Sequence, residues 1–146
     1  MSKISNLIFH NAKHTMSSPY GRRKSIKTSA GNTGTFHSGV DYATYGVKLA
    51  QYAIEDGEIL SCGTDWMYGG AKYVWVKYPR LGVKMLHYHL DSIKVKKGQE
   101  VTKNTVLGYT GKTGKATGIH LHLEIICMIT GTRYDPEKYA EKYTEP

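Results

Sequence analysis

Long apolar runs and cysteines are both scarce in this sequence of 146 residues. No run approaches the roughly 20 apolar residues of a membrane-spanning helix, so we expect no transmembrane segment and no membrane partner. The first ten residues also lack the sustained apolar region and the small-residue cleavage site of a secretory signal peptide. The two cysteines are Cys62 and Cys127, and their spacing does not decide between a disulfide and two free thiols.

A long basic run is absent as well, although the formal net charge is +8 at pH 7. The basic residues are dispersed, with small clusters at residues 22–24 and 94–97. A nucleic-acid-binding arm concentrates its charge in one block, so we do not expect nucleic acid as a partner. A solvated surface and an attraction to some other polyanion explain the dispersed charge equally well.

Glycine, tyrosine and β-branched residues are abundant, which favours strands joined by tight turns. The sequence has 16 glycines and 12 tyrosines, and 40% of its residues are hydrophobic. Residues 72–78 partly alternate polar and apolar side chains, residues 79–82 form a turn, and residues 83–90 return as a hairpin partner. Further strands are predicted over residues 47–54, 58–61, 95–101, 106–109 and 119–129. The expected fold is therefore mainly β, one antiparallel sheet or sandwich in a single domain.

The ends of the chain are expected to differ from this sheet. Near the start of the chain, a short element is predicted by the apolar residues Ile4, Leu7, Ile8 and Phe9. We therefore predict an N-terminal extension over residues 1–16 that packs on the body, and a main domain over residues 17–146. Residues 24–36 are polar and glycine-rich, which predicts a long loop of the kind that is often functional. Asp135 and Pro136 supply an N-cap and a first helical residue, so a short C-terminal helix is predicted.

Two histidines lie in the strongly apolar segment of residues 118–124. Side chains at i and i+2 of a strand share a face, so His120 and His122 are expected side by side. Leu121 and Leu123 would then point into the core. Neighbouring imidazoles offer nitrogen donors that suit zinc, but this pattern alone is more often a pair of exposed strand histidines.

A second cluster consists of His37 and Asp41. In a straight strand they would lie about 13 Å apart, whereas two ligands of one metal each place a donor atom about 2 Å from it. The chain must therefore bend, and Gly39 permits the bend because it has no Cβ. A helix would also bring positions i and i+4 together, but Gly39 and Val40 in its middle disfavour a helix. A turn histidine beside a capping aspartate explains this segment equally well.

A third cluster places His87 and His89 on one face of a predicted strand, and only one of them needs a role. Three such clusters in one small β domain favour a catalytic metal site, which needs three protein ligands and one open position. Two histidines and one aspartate leave a charge of +1 on zinc, enough to lower the pKa of a bound water towards about 7. Further histidines could transfer protons or stabilise an oxyanion.

Three segments resemble the signatures of one known family. Residues 37–41, His-Ser-Gly-Val-Asp, resemble the His-x-Gly-x-Asp motif of the lysostaphin/LytM-type zinc endopeptidases. Residues 117–124, Thr-Gly-Ile-His-Leu-His-Leu-Glu, resemble the family's Thr-Gly-x-His-Leu-His-Phe-Glu signature. Residues 88–92, Tyr-His-Leu-Asp-Ser, are similar to its Tyr-x-His-Leu-Ser segment. The resemblance extends over roughly residues 17–135, in matching order and spacing.

This resemblance implies a set of roles. The implied ligands of one Zn²⁺ ion are His37, Asp41 and His122. His89 and His120 are implied to stand beside the open coordination position, where they activate water or stabilise the transition state. His87 lies outside the family pattern and is expected to be structural or solvent-facing, while His10 and His14 lie outside the matched region. Glu124 is either a partner that orients a ligand imidazole or an ordinary strand carboxylate.

The implied fold is an antiparallel β domain with an open groove, one wall of which is the loop of residues 24–36. The implied function is hydrolysis of amide bonds in the stem or cross-bridge peptides of peptidoglycan, with anionic wall polymers as a further partner. The alternative is a non-catalytic module that binds peptidoglycan or activates an amidase, although such degenerate members lose ligands and this sequence retains all five positions. The expected setting is a phage lysis protein, made in the host cytoplasm and released to the cell wall, or a phage tail enzyme.

Overall fold

A computed structural model describes residues 3–22, 27–28, 31–32 and 36–143, with backbone only at residues 27–28 and 31–32. The helices are α1 (Lys3–Ile8), α2 (Pro136–Lys142) and a 3₁₀ helix (Trp66–Tyr68). The strands are β1 (Thr15–Ser18), β2 (Gly21–Arg22), β3 (Lys27–Thr28), β4 (Gly31–Asn32), β5 (Phe36–His37), β6 (Val40–Ala43), β7 (Ala50–Tyr52), β8 (Gly57–Asp65), β9 (Ala71–Tyr78), β10 (Val83–Leu90), β11 (Ser92–Ile93), β12 (Glu100–Val101), β13 (Val106–Tyr109), β14 (His120–Cys127) and β15 (Arg133–Tyr134).

One antiparallel sheet of eight strands organises the described part of the chain. Its order is β1-β6-β14-β10-β9-β8-β12, and β15 pairs with β14. The register places Asp41, His122 and Tyr88 opposite one another on β6, β14 and β10, and the same row continues through Tyr73 on β9 to Gly63 on β8. The described residues also form a second sheet of order β11-β13-β7 and the strand pairs β2–β5 and β3–β4.

The two faces of β14 separate the core from the solvent side. Leu121 and Leu123 are fully buried, while His120 and His122 face an open groove. The alternation predicted for this strand is therefore confirmed. Each buried leucine side chain stabilises the fold by roughly 1.5–3 kcal/mol. Helix α1 adds Ile4 and Ile8 to the same core and lies near β7 and α2.

The fold class predicted from the sequence is confirmed, and most predicted strands are present with altered bounds. The hairpin of β9 and β10 and the C-terminal helix are confirmed, and the Asp135 carboxylate accepts a hydrogen bond from the backbone N–H of Glu137. The strand predicted over residues 95–101 is wrong, because only Glu100–Val101 pairs and a turn precedes it. β8 extends past the predicted residue 61 to Asp65, whereas only Ala50–Tyr52 of the predicted strand 47–54 forms.

Several other expectations concern the ends and loops. The short N-terminal element is helix α1, and β1 already belongs to the main sheet; the division into an extension and a domain stays a prediction. Most of the loop over residues 24–36, including its role as a groove wall, lies outside the described residues. Both cysteines are free thiols. No helix among the described residues is both long and apolar enough to cross a membrane.

Candidate active site

An open groove on the solvent side of the large sheet brings the predicted site residues together. It crosses β6, β14, β10 and β9 and is bordered by residues 115–119 and by the tip of the β8–β9 hairpin. The five predicted site residues all line it: His37, Asp41, His89, His120 and His122.

Three donor atoms form a small triangle at one end of this groove. His37 Nε2 lies 3.1 Å from Asp41 Oδ1 and 3.0 Å from His122 Nδ1, and His122 Nδ1 lies 2.9 Å from Asp41 Oδ1. Four ligands placed tetrahedrally at zinc distances would be separated by about 3.3 Å. His37, Asp41 and His122 therefore form a group that could hold one metal ion.

The outer hydrogen bonds of the two imidazoles decide what their inner nitrogens can do. His37 Nδ1 lies 2.9 Å from the carbonyl oxygen of Pro19, and His122 Nε2 lies 2.8 Å from Glu124 Oε2. Both acceptors require a proton on the nitrogen that faces them, so a neutral imidazole directs its lone pair at the triangle. Two lone pairs and a carboxylate oxygen about 3 Å apart repel one another unless a cation lies among them. The donor set thus fits a divalent metal ion.

His37 and Asp41 meet because the chain bends at Ser38 and Gly39, between β5 and β6. The bend was predicted, but the requirement for glycine has another cause. A Cβ on Gly39 would lie 2.2 Å from the carbonyl oxygen of Leu123. Gly39 is therefore needed for the close approach of this bend to the backbone of β14 rather than for its own dihedral freedom.

The prediction that His87 and His89 share a face is wrong. The register between β10 and β9 shifts between Tyr88 and Leu90, and His89 has a left-handed φ of 70°. This bulge turns the His89 side chain into the groove. His87 stays on the core face, fully buried, where its Nδ1 donates to Gln51 Oε1 at 2.8 Å. His87 was expected to be either structural or solvent-facing, and its burial shows that it is structural.

His89 and His120 stand side by side next to the triangle, with ring centroids 4.8 Å apart. His89 Nδ1 donates to the carbonyl oxygen of Thr113, and His120 Nδ1 donates to that of Gly118 at 2.8 Å. Whenever either ring is neutral, its Nε2 therefore has the free lone pair, and His120 Nε2 lies 3.7 Å from Asp41 Oδ1. Each ring can accept a proton, or donate one after protonation, beside the metal position.

The sequence that contains these site residues matches a known protein family. A model described as Peptidase family M23 matches residues 35–136, well over half of the chain and all five predicted site residues. The chain belongs to peptidase family M23. The family resemblance inferred from the sequence is thereby confirmed.

Relatives and solved structures agree with this assignment. Peptidoglycan DD-endopeptidase ShyB of Vibrio cholerae is 34% identical over 90 residues, which are 62% of this chain and 20% of ShyB. The catalytic domain of lysostaphin from Staphylococcus simulans has a similar fold, with a TM-score of 0.71 at 24% identity over 97% of this chain and 99% of that one. A zinc containing peptidase from Vibrio cholerae is 28% identical with a TM-score of 0.67, over 90% of this chain and 37% of that one.

The M23 chain is shorter than the curated relatives that it matches. It spans 20 to 27% of the length of the first of them. Its similarity to these relatives therefore concerns one region of each of them.

The electrostatics of the M23 site favour a positive charge in the triangle. Burial disfavours an ionised Asp41, but the hydrogen bonds to His122 and His37 outweigh it and hold the pKa of Asp41 well below its ordinary value. Burial likewise disfavours an imidazolium at His122, but Asp41 and Glu124 raise the pKa of His122 to about 9. With no other cation, a proton would occupy the triangle, so a metal ion and a proton compete for the same position.

Glu124 is one of three groove residues whose roles the sequence left open or did not indicate. It accepts from His122, from Ser38 Oγ at 2.8 Å and from Arg133 Nε at 3.0 Å, which favours the orienting role over an ordinary strand carboxylate. Tyr88 and Asp65 were not predicted. The Tyr88 hydroxyl donates to Asp65 Oδ2 at 2.5 Å, and both residues line the groove. Tyr88 begins the family segment of residues 88–92, which gave it no role, and no motif points to Asp65.

Proposed function

We propose that this M23 domain is a zinc-dependent endopeptidase that hydrolyses amide bonds in the stem or cross-bridge peptides of peptidoglycan. The decisive observation is the triangle of His37 Nε2, His122 Nδ1 and Asp41 Oδ1, with edges of 2.9 to 3.1 Å. Two imidazoles and one carboxylate, with room for a fourth ligand in an open groove, match the donor set of a catalytic zinc ion. The similarity to ShyB, a peptidoglycan DD-endopeptidase, supports the substrate, and the similarity to the zinc containing peptidase of Vibrio cholerae supports the metal.

Some side chains of the site would orient the metal ligands, and others would transfer protons. Zinc, when bound, acts as a Lewis acid that polarises a carbonyl group and lowers the pKa of water towards about 7. Glu124 and the Pro19 carbonyl orient the ligand imidazoles. Burial and the neighbouring His120 lower the pKa of His89 to about 4, so His89 is neutral at pH 7 and its Nε2 can accept a proton.

His120 is positioned to complement His89. Its Nε2 faces the groove at 3.7 Å from Asp41 Oδ1, on the same strand as the ligand His122. Protonated, it would hold an oxyanion or return a proton to the amine that leaves. The two rings, with centroids 4.8 Å apart, therefore supply one proton acceptor and one proton donor beside the metal-binding triangle.

The test separates metal binding from proton transfer. We expect His122→Ala to lose bound zinc and wall-lytic activity together, because it removes a ligand. We expect His120→Ala to retain most of its zinc and to lose about 100- to 10,000-fold in kcat, because it removes only a proton-transfer group. Zinc is measured by elemental analysis, and activity by the turbidity of cell walls and mass spectrometry of the released fragments.

A histidine outside the groove provides the control. His10 is exposed, stacks on Tyr52 and has a left-handed φ of 49°, so His10→Asn preserves its backbone preference. This variant should keep both zinc and activity. Full wall lysis by His122→Ala, or lysis by the wild type after chelation of all metal, would refute the proposal. The phage setting, the release to the cell wall and the binding of anionic wall polymers stay predictions.

A further inference from the structure

One carboxylate of the groove has no role in the proposed metal chemistry. Among the described residues, three carboxylates line the groove: Asp41, Asp65 and Glu124. Asp41 faces the ligand histidines, and Glu124 is shared between His122 and Arg133. Asp65 differs, because no lysine or arginine in the described part of the chain forms an ion pair with it. The protein has a net charge of +8, yet this carboxylate in the groove has no ion-pair partner among the described residues. Such a carboxylate can attract a positively charged group of the substrate.

The Asp65 carboxylate is held in place and still has acceptor capacity. Its Oδ1 accepts the backbone N–H of Met67 at 3.1 Å, which caps the 3₁₀ helix, and its Oδ2 accepts the hydroxyl of Tyr88 at 2.5 Å. A carboxylate offers about four lone-pair positions, so two bonds leave room for a further donor. The two bonds fix the orientation of the carboxylate before any ligand arrives.

Aromatic rings line a depression that contains this carboxylate. A second depression adjoins the groove and shares Asp65 with it. Its rings are those of Trp66, Tyr73, Trp75 and Tyr88. Ammonium groups already lie over rings nearby: Lys84 Nζ is 4.7 Å from the centre of the Trp75 ring and Lys115 Nζ is 4.9 Å from that of Tyr68. A carboxylate among aromatic faces is an arrangement that binds alkylammonium ions.

The register of the sheet relates this place to the metal triangle. Tyr88 lies opposite His122 on one side and opposite Tyr73 on the other, and β8 follows with Gly63 opposite Tyr73. Three strand spacings separate His122 from β8, which amounts to about 14 Å. An extended peptide covers that distance in about four residues. A peptide cut at the triangle can therefore extend across the sheet to Asp65.

We propose that Asp65 and the surrounding rings form a subsite for a protonated primary amine of the substrate peptide. The inference rests on the proposed function and adds the chemical class of substrate that the groove selects. Such an amine has two sources in a wall peptide, the side chain of a diamino acid or the free N-terminus of a bridge. Both present an ammonium group with up to three N–H donors, which the fixed carboxylate and the aromatic faces bind in the same way.

The test compares substrates and variants together. Soluble cross-linked wall peptides are prepared with the primary amine free or acetylated, and kcat/KM is measured for the wild type, Asp65→Asn and Glu58→Gln. Asparagine keeps the helix cap but removes the charge. Glu58 is a matched control, since it lies on the same strand, pairs with Lys77 and lies outside both depressions.

We expect the wild type and Glu58→Gln to favour the free amine by about tenfold, a preference that Asp65→Asn loses. Acetylation restricted to the side chain or to the N-terminus then identifies the source of the amine. An equal loss of kcat/KM on both substrates in Asp65→Asn would mean that Asp65 is merely structural. Equal cleavage of both substrates by the wild type would also overturn the inference.

A binding measurement keeps this inference separate from the proposed function. A soluble, uncrosslinked stem peptide with a free or acetylated amine is titrated into the wild type and Asp65→Asn, and the Kd is measured by calorimetry. The wild type should bind the free amine about tenfold more tightly, whether or not it cleaves any substrate. If the protein binds the free amine selectively but hydrolyses no substrate, only the proposed function is refuted. If it hydrolyses substrates but shows no amine selectivity in binding or cleavage, only this inference is refuted.

Discussion

At the residue scale, the candidate metal centre depends on side chains that would not touch the metal. Glu124 lies two residues beyond His122 on the same strand, accepts its Nε2 proton, and is itself held by Ser38 and Arg133. Burial disfavours its charge, but these donors, His122 foremost, lower the pKa of Glu124 to about 2. It is therefore ionised at neutral pH, which fixes the tautomer of His122 and increases the basicity of its inner nitrogen.

We expect Glu124→Gln to weaken zinc binding by about 10- to 100-fold, because the glutamine has no negative charge to offer His122. The fold should persist, since the side chain keeps its size and an acceptor oxygen. Zinc affinity is measured by competition with a chromogenic chelator. Glu100→Gln, on the exposed edge strand β12, is the control and should bind zinc as the wild type does. An unchanged affinity in Glu124→Gln would show that the charge of Glu124 does not strengthen His122 as a ligand.

At the scale of elements, the bend between β5 and β6 is as important as the strands beside it. Gly39→Ala would place a methyl group 2.2 Å from the Leu123 carbonyl oxygen and 2.9 Å from Glu124 Cγ, so β6 or β14 must shift. We expect a loss of about 2 kcal/mol or more in the free energy of unfolding, together with weaker zinc binding. The control is Gly118→Ala, whose methyl group would meet open space. The free energy of unfolding is measured by urea titration monitored by tryptophan fluorescence. Equal values for the two variants would contradict the prediction.

Sequence patterns predicted the side-chain directions in one of the two histidine-bearing strands but not in the other. The alternation of His120 to Leu123 predicted the faces of β14 correctly, because side-chain direction in a regular strand follows from the backbone alone. The identical reasoning failed at His87 and His89. A bulge in β10 depends on its pairing with β9, which no local pattern contains. Asp65 was missed for a related reason, since its place in the groove results from strand register and from the Tyr88 hydroxyl.

At the scale of the whole molecule, a buried polar chain links two sheets. His87 on β10 donates to Gln51 on β7, and Gln51 Nε2 donates to Thr110 Oγ1 at 3.3 Å. The second nitrogen of His87, Nε2, is buried and finds no partner among the described residues. Burial lowers the pKa of His87 to about 3. The folded protein therefore keeps this imidazole neutral in a place where a charge would be costly.

Acid should consequently unfold the molecule partly through His87. Its pKa in the folded state is about 3, below the ordinary 6.5, so between these values the unfolded chain binds the proton and the folded chain does not. The contribution to stability is complete above pH 6.5 and is lost as the pH falls towards 3, by about 1.4 kcal/mol per pH unit.

His87→Asn retains an N–H donor for Gln51 and has no titrating ring. The variant should be less stable at pH 7, because it leaves a cavity, yet its free energy of unfolding should fall less steeply between pH 6 and pH 4. Parallel pH profiles for the two proteins in urea titrations would show that His87 takes no part in acid unfolding.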